Sequence, residues 1–288
     1  MRFVCLTTSF NRKGLAVKSI LSLIDAFDYA GLKDNYEIVF VDDGSVDGTT
    51  GAVVDLSDEV TVVPGNGQLF WAGGMRFGFD TIACKSFDYL IVFNDDVKFE
   101  KRSVLRLVKV LQVNSLTPDC LFTLTCSTLG ADNRLSYGGL SRWSRFFPLS
   151  FDLVEPDPHN LKMVDVGNMN VAVIPIALIN KIGFLASYFR HGGADYEYGI
   201  RASKHGATNY LAPGYFGWCE RNSDVGTIYD KNLRFTSRLK ISLSIKETPF
   251  SQTVRFYRDC AGAFWPLHLS VFYLSRLIRP YFRRRKIF

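Results

Sequence analysis

The residues best suited to chemistry are acids at the ends of apolar runs. Tyr89-Leu90-Ile91-Val92-Phe93 leads straight into Asn94-Asp95-Asp96. Two adjacent carboxylates repel each other unless a cation or a substrate proton compensates them, and hard oxygen ligands with spare coordination sites suit Mg2+ or Mn2+ carrying a phosphorylated ligand. The arrangement recurs where Glu37-Ile38-Val39-Phe40-Val41 ends in Asp42-Asp43-Gly44-Ser45. A further acid, Asp195, stands at the start of Ala194-Asp195-Tyr196-Glu197-Tyr198-Gly199-Ile200-Arg201, a stretch that reads as a helix with Asp195 near its N-cap and Gly206 at its end. The plain alternative for each acid is structural: a solvated strand-end turn, or a cap on the following helix.

Such acids need elements to aim them. A continuous apolar run reads as a strand buried on both faces of a parallel sheet, and open sheets of this kind bind ligands beyond the carboxyl ends of their strands. Residues 3–8, 37–41, 60–63 and 89–93 are four such runs with helical periodicity between them, which predicts an α/β fold with a mostly parallel, Rossmann-like sheet flanked by helices. All four connections after these strands are polar or glycine-rich and should converge on one crevice. The loop from Gln68 to Arg76 should open a helix running through Ile82. Beyond Val113 the pattern is less regular. Residues 121–125 read as another strand, 134–139 as a hairpin or loop, and 142–160, with three prolines and no clear period, as a lid or loop.

At 288 residues the chain can bury a sizeable core, and 22% charged residues describe an ordinary globular protein. Its six cysteines form no C-x-x-C pair, so neither a zinc site nor a disulfide framework is expected and a reducing cytoplasm is the simplest home. The opening Met1-Arg2-Phe3-Val4-Cys5-Leu6 is too short an apolar segment for a signal peptide and reads as a first strand. The net charge of +6 is carried by the end of the chain, where Arg276, Arg279, Arg283, Arg284, Arg285 and Lys286 follow the last acid, Asp259. A basic tail on a balanced body argues for a local anionic partner and against a nucleic-acid-coating protein. In residues 264–288 the uncharged stretch, interrupted by Pro266 and ending at Arg276, is too short for a comfortable crossing. The segment reads as an interfacial helix on anionic lipid, or as a helix packed on the body with a solvated basic end.

Taken in order, these motifs resemble those of family 2 nucleotide-sugar glycosyltransferases with the GT-A fold, and most nearly the rhamnosyltransferase-like set that builds bacterial surface polysaccharides such as O-antigen and capsule. Val41-Asp42-Asp43-Gly44-Ser45-Val46-Asp47-Gly48-Thr49 looks like that family's V-D-D-G-S-x-D-G-T signature, and Asn94-Asp95-Asp96 stands in place of its D-x-D element. Gly73-Gly74-Met75-Arg76-Phe77-Gly78 is similar to its G-G-x-N-x-G loop. Ala194 to Arg201 resembles the segment that carries the base. The sequence departs from the pattern at Asn94, at Ala194 in place of Glu and at Arg76 in place of Asn. It also has Gly217-Trp218-Cys219-Glu220-Arg221 where some members carry a metal-binding His.

The resemblance implies an inverting, metal-dependent transferase. Asp195 would be the general base, and Asp96 would hold Mg2+ or Mn2+ on the donor diphosphate. Asp42, with Asp43 and Gly44, would meet base and ribose, and Thr8, Phe10 and Arg12 would line the same pocket. Asn94 or Asp95 would touch ribose, Arg76 and Gly74 the phosphates, Trp71 a sugar ring, and Glu197 would bind the acceptor or stand in for the base. The donor would be a UDP- or dTDP-sugar and the acceptor a glycan or lipid-linked oligosaccharide at the inner face of the cytoplasmic membrane. Residues 1–221 would form the GT-A domain, with a donor-binding half to residue 100 and an acceptor-binding and catalytic half after it, and 222–288 a helical basic extension. Two alternatives remain open at this stage: a catalytically silent nucleotide-sugar-binding protein, and a sugar-phosphate nucleotidyltransferase, whose expected Gly-rich loop after the first strand does not match Thr7-Thr8-Ser9-Phe10-Asn11.

Overall fold

A computed structural model describes residues 1–144, 146–223, 225–228, 230, 232–242 and 249–278. The first half is an alternation of strands and helices: β1 (Phe3–Ser9), α1 (Lys13–Tyr29), β2 (Tyr36–Asp42), α2 (Thr49–Val54), β3 (Val60–Pro64), α3 (Phe70–Ile82) and β4 (Tyr89–Phe93). Next come β5 (Lys98–Phe99), α4 (Ser103–Val113), β6 (Phe122–Leu129), β7 (Leu135–Tyr137), β8 (Gly139–Ser144), β9 (Phe147–Leu153), β10 (Lys162–Met163), β11 (Val166–Gly167) and β12 (Val171–Pro175). The remaining elements are α5 (Ile176–Ile182), α6 (Ala194–Lys204), β13 (Thr208–Trp218), α7 (Phe235–Ser242), α8 (Phe250–Cys260) and α9 (Trp265–Ile278).

The main sheet runs β10-β13-β6-β12-β4-β1-β2-β3, with β5 added to β13 and β7 to β6. Its β4-β1-β2-β3 half is parallel, as the four apolar runs predict. β12 is antiparallel to both β4 and β6, so the second half is mixed. The continuous apolar character follows from burial on both faces. In β1, Phe3 and Cys5 join one core with Ile20, Leu23 and Phe27 of α1 and Leu107 of α4, while Val4 and Leu6 join the other with Ala72 and Met75 of α3 and Tyr198 of α6. In β4, Tyr89, Ile91 and Phe93 face the first core and Leu90 and Val92 the second.

The structure departs from the sequence reading at two stretches. The glycines expected to form a ligand-binding loop, Gly73 and Gly74, lie inside α3. A Cβ on Gly74 would collide with the side chain of Thr8, so this glycine lets helix and strand approach closely. Residues 142–160 are no lid over most of their length, because β8 and β9 form an antiparallel hairpin whose inner strand pairs with β11. The apolar side of this small sheet is covered by the C-terminal helices: Leu140, Leu149, Phe151 and Val166 share a core with Ile200 of α6, Tyr257 of α8 and Leu269 of α9.

Close approach of α3 to the sheet also depends on Gly78, where a Cβ would stand 2.5 Å from Leu6 Cδ1 and 2.6 Å from Val41 Cγ2. Gly78→Ala should therefore cost about 1–3 kcal/mol in urea unfolding. Gly51→Ala, on α2 with nothing within 4 Å of the new carbon, should be neutral or stabilising by up to about 1 kcal/mol. Equal stability of the two variants would contradict this packing.

Candidate active site

The carboxyl ends of β1, β2, β3 and β4 are tied to one another by side chains. Asn11, which has a left-handed φ of 53°, donates its backbone N–H to Ser45 Oγ at 2.8 Å and accepts from Val46 N–H at 2.8 Å. That pair joins the ends of β1 and β2. Asp43 Oδ1 accepts from Gly67 N–H at 2.8 Å, and its Oδ2 accepts from Leu69 and Phe70 N–H at 2.9 and 3.1 Å. One buried carboxylate therefore closes the loop between β3 and α3. Gly44 is left-handed, and a Cβ there would lie 3.1 Å from Gly67 N, so the neighbouring loop leaves little room for a side chain.

Asp42, at the end of β2, accepts from Ser45 N–H at 2.9 Å and from the Thr50 hydroxyl. It is 2% exposed. The turn alternative thus holds for Asp42 and Asp43 as geometry, but neither caps the following helix α2, whose N-cap is Gly48 with no side-chain bond. An ionised carboxyl has about four lone-pair sites, so Asp42 keeps acceptor capacity beyond its two bonds.

At the neighbouring edge Arg12 bridges both acids of Asn94-Asp95-Asp96. Its Nη1 lies 2.6 Å from Asp95 Oδ1 and its Nη2 lies 2.8 Å from Asp96 Oδ2. Asp95 is buried and also accepts from Ser9 Oγ at 2.6 Å. Burial pushes its carboxyl up to about 6, and Arg12 opposes that shift. Asp96 accepts from Cys219 Sγ at 3.2 Å, and Asn170 Nδ2 donates to the same sulfur at 3.4 Å. Burial raises the Cys219 thiol well above its ordinary range, with the Asp96 charge adding to the effect, so it stays a neutral donor. Asn94 accepts from Trp71 Nε1 at 2.9 Å, and its N–H donates to the Asn170 carbonyl at 3.0 Å.

Asp195 lies in the first turn of α6, after Gly193 with φ 92°. Its Oδ1 accepts from Tyr196 N–H at 3.0 Å, and it is bonded to Asn168 and Met169, which lead into β12. Because Asn170 continues that segment to Asn94, Asp195 stands at the same edge as the acid pair. Burial pushes its carboxyl up to about 6, while these hydrogen bonds pull the other way.

The other expected site residues separate. Thr8 is packed beneath Gly74, and Phe10 is half exposed just after β1. Arg76 does not reach the acids: its Nη1 donates to the Ala186 carbonyl at 3.0 Å, and burial lowers its pKa. Glu197 turns away from the crevice into a two-pronged pair with Arg201, 2.7 Å to Nε and 3.1 Å to Nη2, and Arg201 also holds the carbonyls of Ile182 and Phe184. Both are therefore braces of the α5–α6 region. Ser9, Asn168, Asn170 and Cys219 were missed in the sequence. Only Ser9 had a local signal, as a hydroxyl at a strand end. Cys219 reaches Asp96 because β13 pairs with β5, Trp218 opposite Lys98, a contact between residues far apart in sequence.

Among the described residues no cluster of three His, Cys, Asp or Glu could enclose a metal, but Asp95 and Asp96 offer hard oxygens from two carboxylates, which is the way Mg2+ is held alongside substrate phosphates. Asp96 is the less buried of the two, but one of its oxygens is paired with Arg12 and the other accepts from Cys219, so a cation there would have to displace one of these partners.

A half-parallel sheet with helices on both faces and acids gathered at its carboxyl edge is the GT-A architecture of glycosyltransferases. Residues 5–147 match the family model described as Glycosyl transferase family 2, and the chain belongs to that family. Among solved structures it is similar to S. aureus TarS 1-349 in complex with UDP-GlcNAc, at 12% identity and a TM-score of 0.53 over 97% of this chain and 73% of that one. A second structure of TarS 1-349 gives 14% identity and a TM-score of 0.52 over 97% and 81%. No curated protein matches the sequence.

The role of Glu197 is open to a direct stability test. Arg201→Leu would leave its carboxylate buried and unpaired, and unfolding should show a loss of about 3–5 kcal/mol. Glu197→Gln should also destabilise. A Glu197→Gln protein as stable as the parent but inactive would return this residue to the reacting groups.

Proposed function

We propose that this glycosyltransferase moves a sugar from a nucleoside-diphosphate donor to an acceptor hydroxyl, with inversion at the anomeric carbon, in assembling a bacterial surface polysaccharide. The observation that carries this reading is Asp195, a carboxylate at a helix N-terminus, raised to about 6 by burial, at the same sheet edge as the Arg12–Asp95–Asp96 cluster. A group titrating near that value is ionised at neutral pH yet basic enough to accept a proton in the transition state. The acceptor hydroxyl gives its proton to Asp195 as its oxygen bonds to the anomeric carbon. The bond to the diphosphate breaks on the opposite face, and the diphosphate departs with the electron pair.

The family match and the nucleotide sugar bound by TarS support a donor of this class. Asp42 would accept from the base imide with the lone pairs that Ser45 and Thr50 leave over, and Trp71, held by Asn94, would face the donor sugar or ribose. Mg2+ or Mn2+ bound by Asp96 and the donor phosphates would neutralise charge growing on the leaving group. Arg12 is then free to exchange a carboxylate for a phosphate oxygen, a bidentate partner of the same geometry. The resemblance to the rhamnosyltransferase-like set is the basis for taking dTDP- or UDP-sugars as the donors.

Six cysteines without a C-x-x-C pair favour a reducing cytoplasm. Among the described residues no helix is long and apolar enough to cross a membrane. The acceptor would be a glycan or lipid-linked oligosaccharide met at the membrane surface through the basic C-terminal stretch. Of that stretch, residues 279–288 lie outside the described residues.

Turnover of a panel of UDP-, dTDP- and GDP-sugars, followed as release of nucleoside diphosphate, tests the reading. Asp195→Asn should bind donor normally and lose about 10²–10⁴ in turnover. In the parent protein the rate should fall about tenfold per pH unit below a break near 6, because the base must be unprotonated, and be flat above it. Protonation of Asp95 near the same pH would act in the same direction. Turnover indifferent to Asp195→Asn would remove the proposed base.

A further inference from the structure

The β8–β9 hairpin and α9 present an apolar surface that the chemistry at the sheet edge does not use. Phe146, at the hairpin turn, is 82% exposed, and Trp143 and Phe147 beside it stack at 5.8 Å. On α9, Leu267, Val271 and Leu274 recur at spacings of four and three, the spacing of one helical stripe, and all three are exposed. The two elements adjoin: Phe147 meets His268 edge-on at 6.3 Å, and an apolar cavity of about 200 Å3 between them is lined by Trp143, Phe147, Val271 and Phe272. Val271 belongs to both the cavity and the stripe, so hairpin tip and helix form one continuous face.

In sequence the charges after α9 begins have one sign, since no acid follows Asp259 and six basic residues do. The hairpin is mixed, with Arg142 on β8, Asp152 on β9, and Arg134 before it paired with Asp132. Aromatic and aliphatic side chains interleaved with arginines suit the headgroup region of an anionic bilayer, where rings sit among the lipid carbonyls and cations meet phosphates. The base of the hairpin reaches the active site. β8 pairs with β11, and Asn168, the next residue, donates its N–H to Gly138 at 3.0 Å and bonds Asp195. The six-residue strand β8 spans about 20 Å, which sets the distance between the base and the tip.

We infer that the hairpin tip is a second membrane anchor, acting with α9 as one face inserted in anionic lipid and holding Asp195 about one strand length above the bilayer. This rests on the proposed membrane role of the basic C-terminal stretch and extends it to a segment distant in sequence. A lipid-linked acceptor would then enter the crevice from the side of β8 and β11, with its lipid remaining in the bilayer.

The test is sedimentation of the full chain with phosphatidylcholine vesicles, with and without phosphatidylglycerol, for the parent, Phe146→Ser, Leu274→Ser and a chain ending at residue 278. The substituted side chains are exposed, so the fold and the hydrolysis of donor in solution should be unchanged. The parent should bind the anionic vesicles, and Phe146→Ser and Leu274→Ser should each weaken binding about tenfold. Quenching by lipids brominated on the acyl chain should fall in Trp143→Phe. If truncation abolishes binding while Phe146→Ser has no effect, the hairpin anchor is wrong and the basic tail alone binds membrane. Absence of binding to either vesicle would remove both, leaving the donor chemistry untouched. A self-associated protein that becomes monomeric in Phe146→Ser, with no vesicle binding, would make this face a contact between copies of the chain.

Discussion

The site depends on the bridge from Arg12 to Asp95 and Asp96. Two adjacent acids at the edge of a sheet, one of them buried, would repel each other and favour protonation, and a single guanidinium across both offsets that repulsion. The bridge in turn requires β1 and β4 to lie side by side, because Arg12 follows β1 and the acids follow β4. It also requires the turn at Asn11, whose left-handed backbone is fixed by two hydrogen bonds to the β2 loop. The apolar strands and the helices over them are the means by which this arrangement is held.

Acids that look alike in sequence are divided between folding and chemistry by what surrounds them. Asp43 satisfies three backbone N–H groups of one loop, and Glu197 is locked to Arg201. These carboxylates have their partners already. Asp195 and Asp96 are also hydrogen-bonded, the first to Asn168 and backbone N–H groups and the second to an arginine and a thiol, but both are only partly buried and stand at the crevice. The same division explains why a glycosyltransferase of this family can depart from its usual acids at Asn94 and Ala194. Asn94 is bound to Trp71 and the Asn170 carbonyl, and Ala194 is fully buried against the second core.

The parallel half of the fold was legible because strands buried on both faces leave an unmistakable pattern of unbroken apolar runs, and because each ended in polar residues or glycine. The end of α6 at the left-handed Gly206 followed from capping rules, whereas its start did not: the N-cap is Gly193, with no side-chain cap bond, and Asp195 lies in the first turn. The β8–β9 hairpin was not legible, since its alternation is interrupted by Pro148 and by aromatics that face outward. Gly74 was misread for a physical reason: a glycine needed for close helix–strand contact looks the same in sequence as one needed for a ligand. Cys219 was hinted at only by the resemblance, as part of a segment where some relatives carry a metal-binding His, and Asn170 not at all. Cys219 reaches Asp96, and Asn170 reaches Cys219 and Asn94, only through strand pairings that join distant parts of the chain.

The central claim is that the Arg12–Asp95–Asp96 edge receives the diphosphate of a nucleotide donor with a divalent cation. Calorimetric titration of nucleoside diphosphates into the full chain, with Mn2+ or with chelator, and into Asp96→Ala, tests it most directly. Binding of one nucleotide that needs the cation and is lost in Asp96→Ala is the predicted result. Nucleotide binding of equal strength with chelator and in Asp96→Ala, or no binding by the parent protein, would contradict it and leave these acids a structural turn.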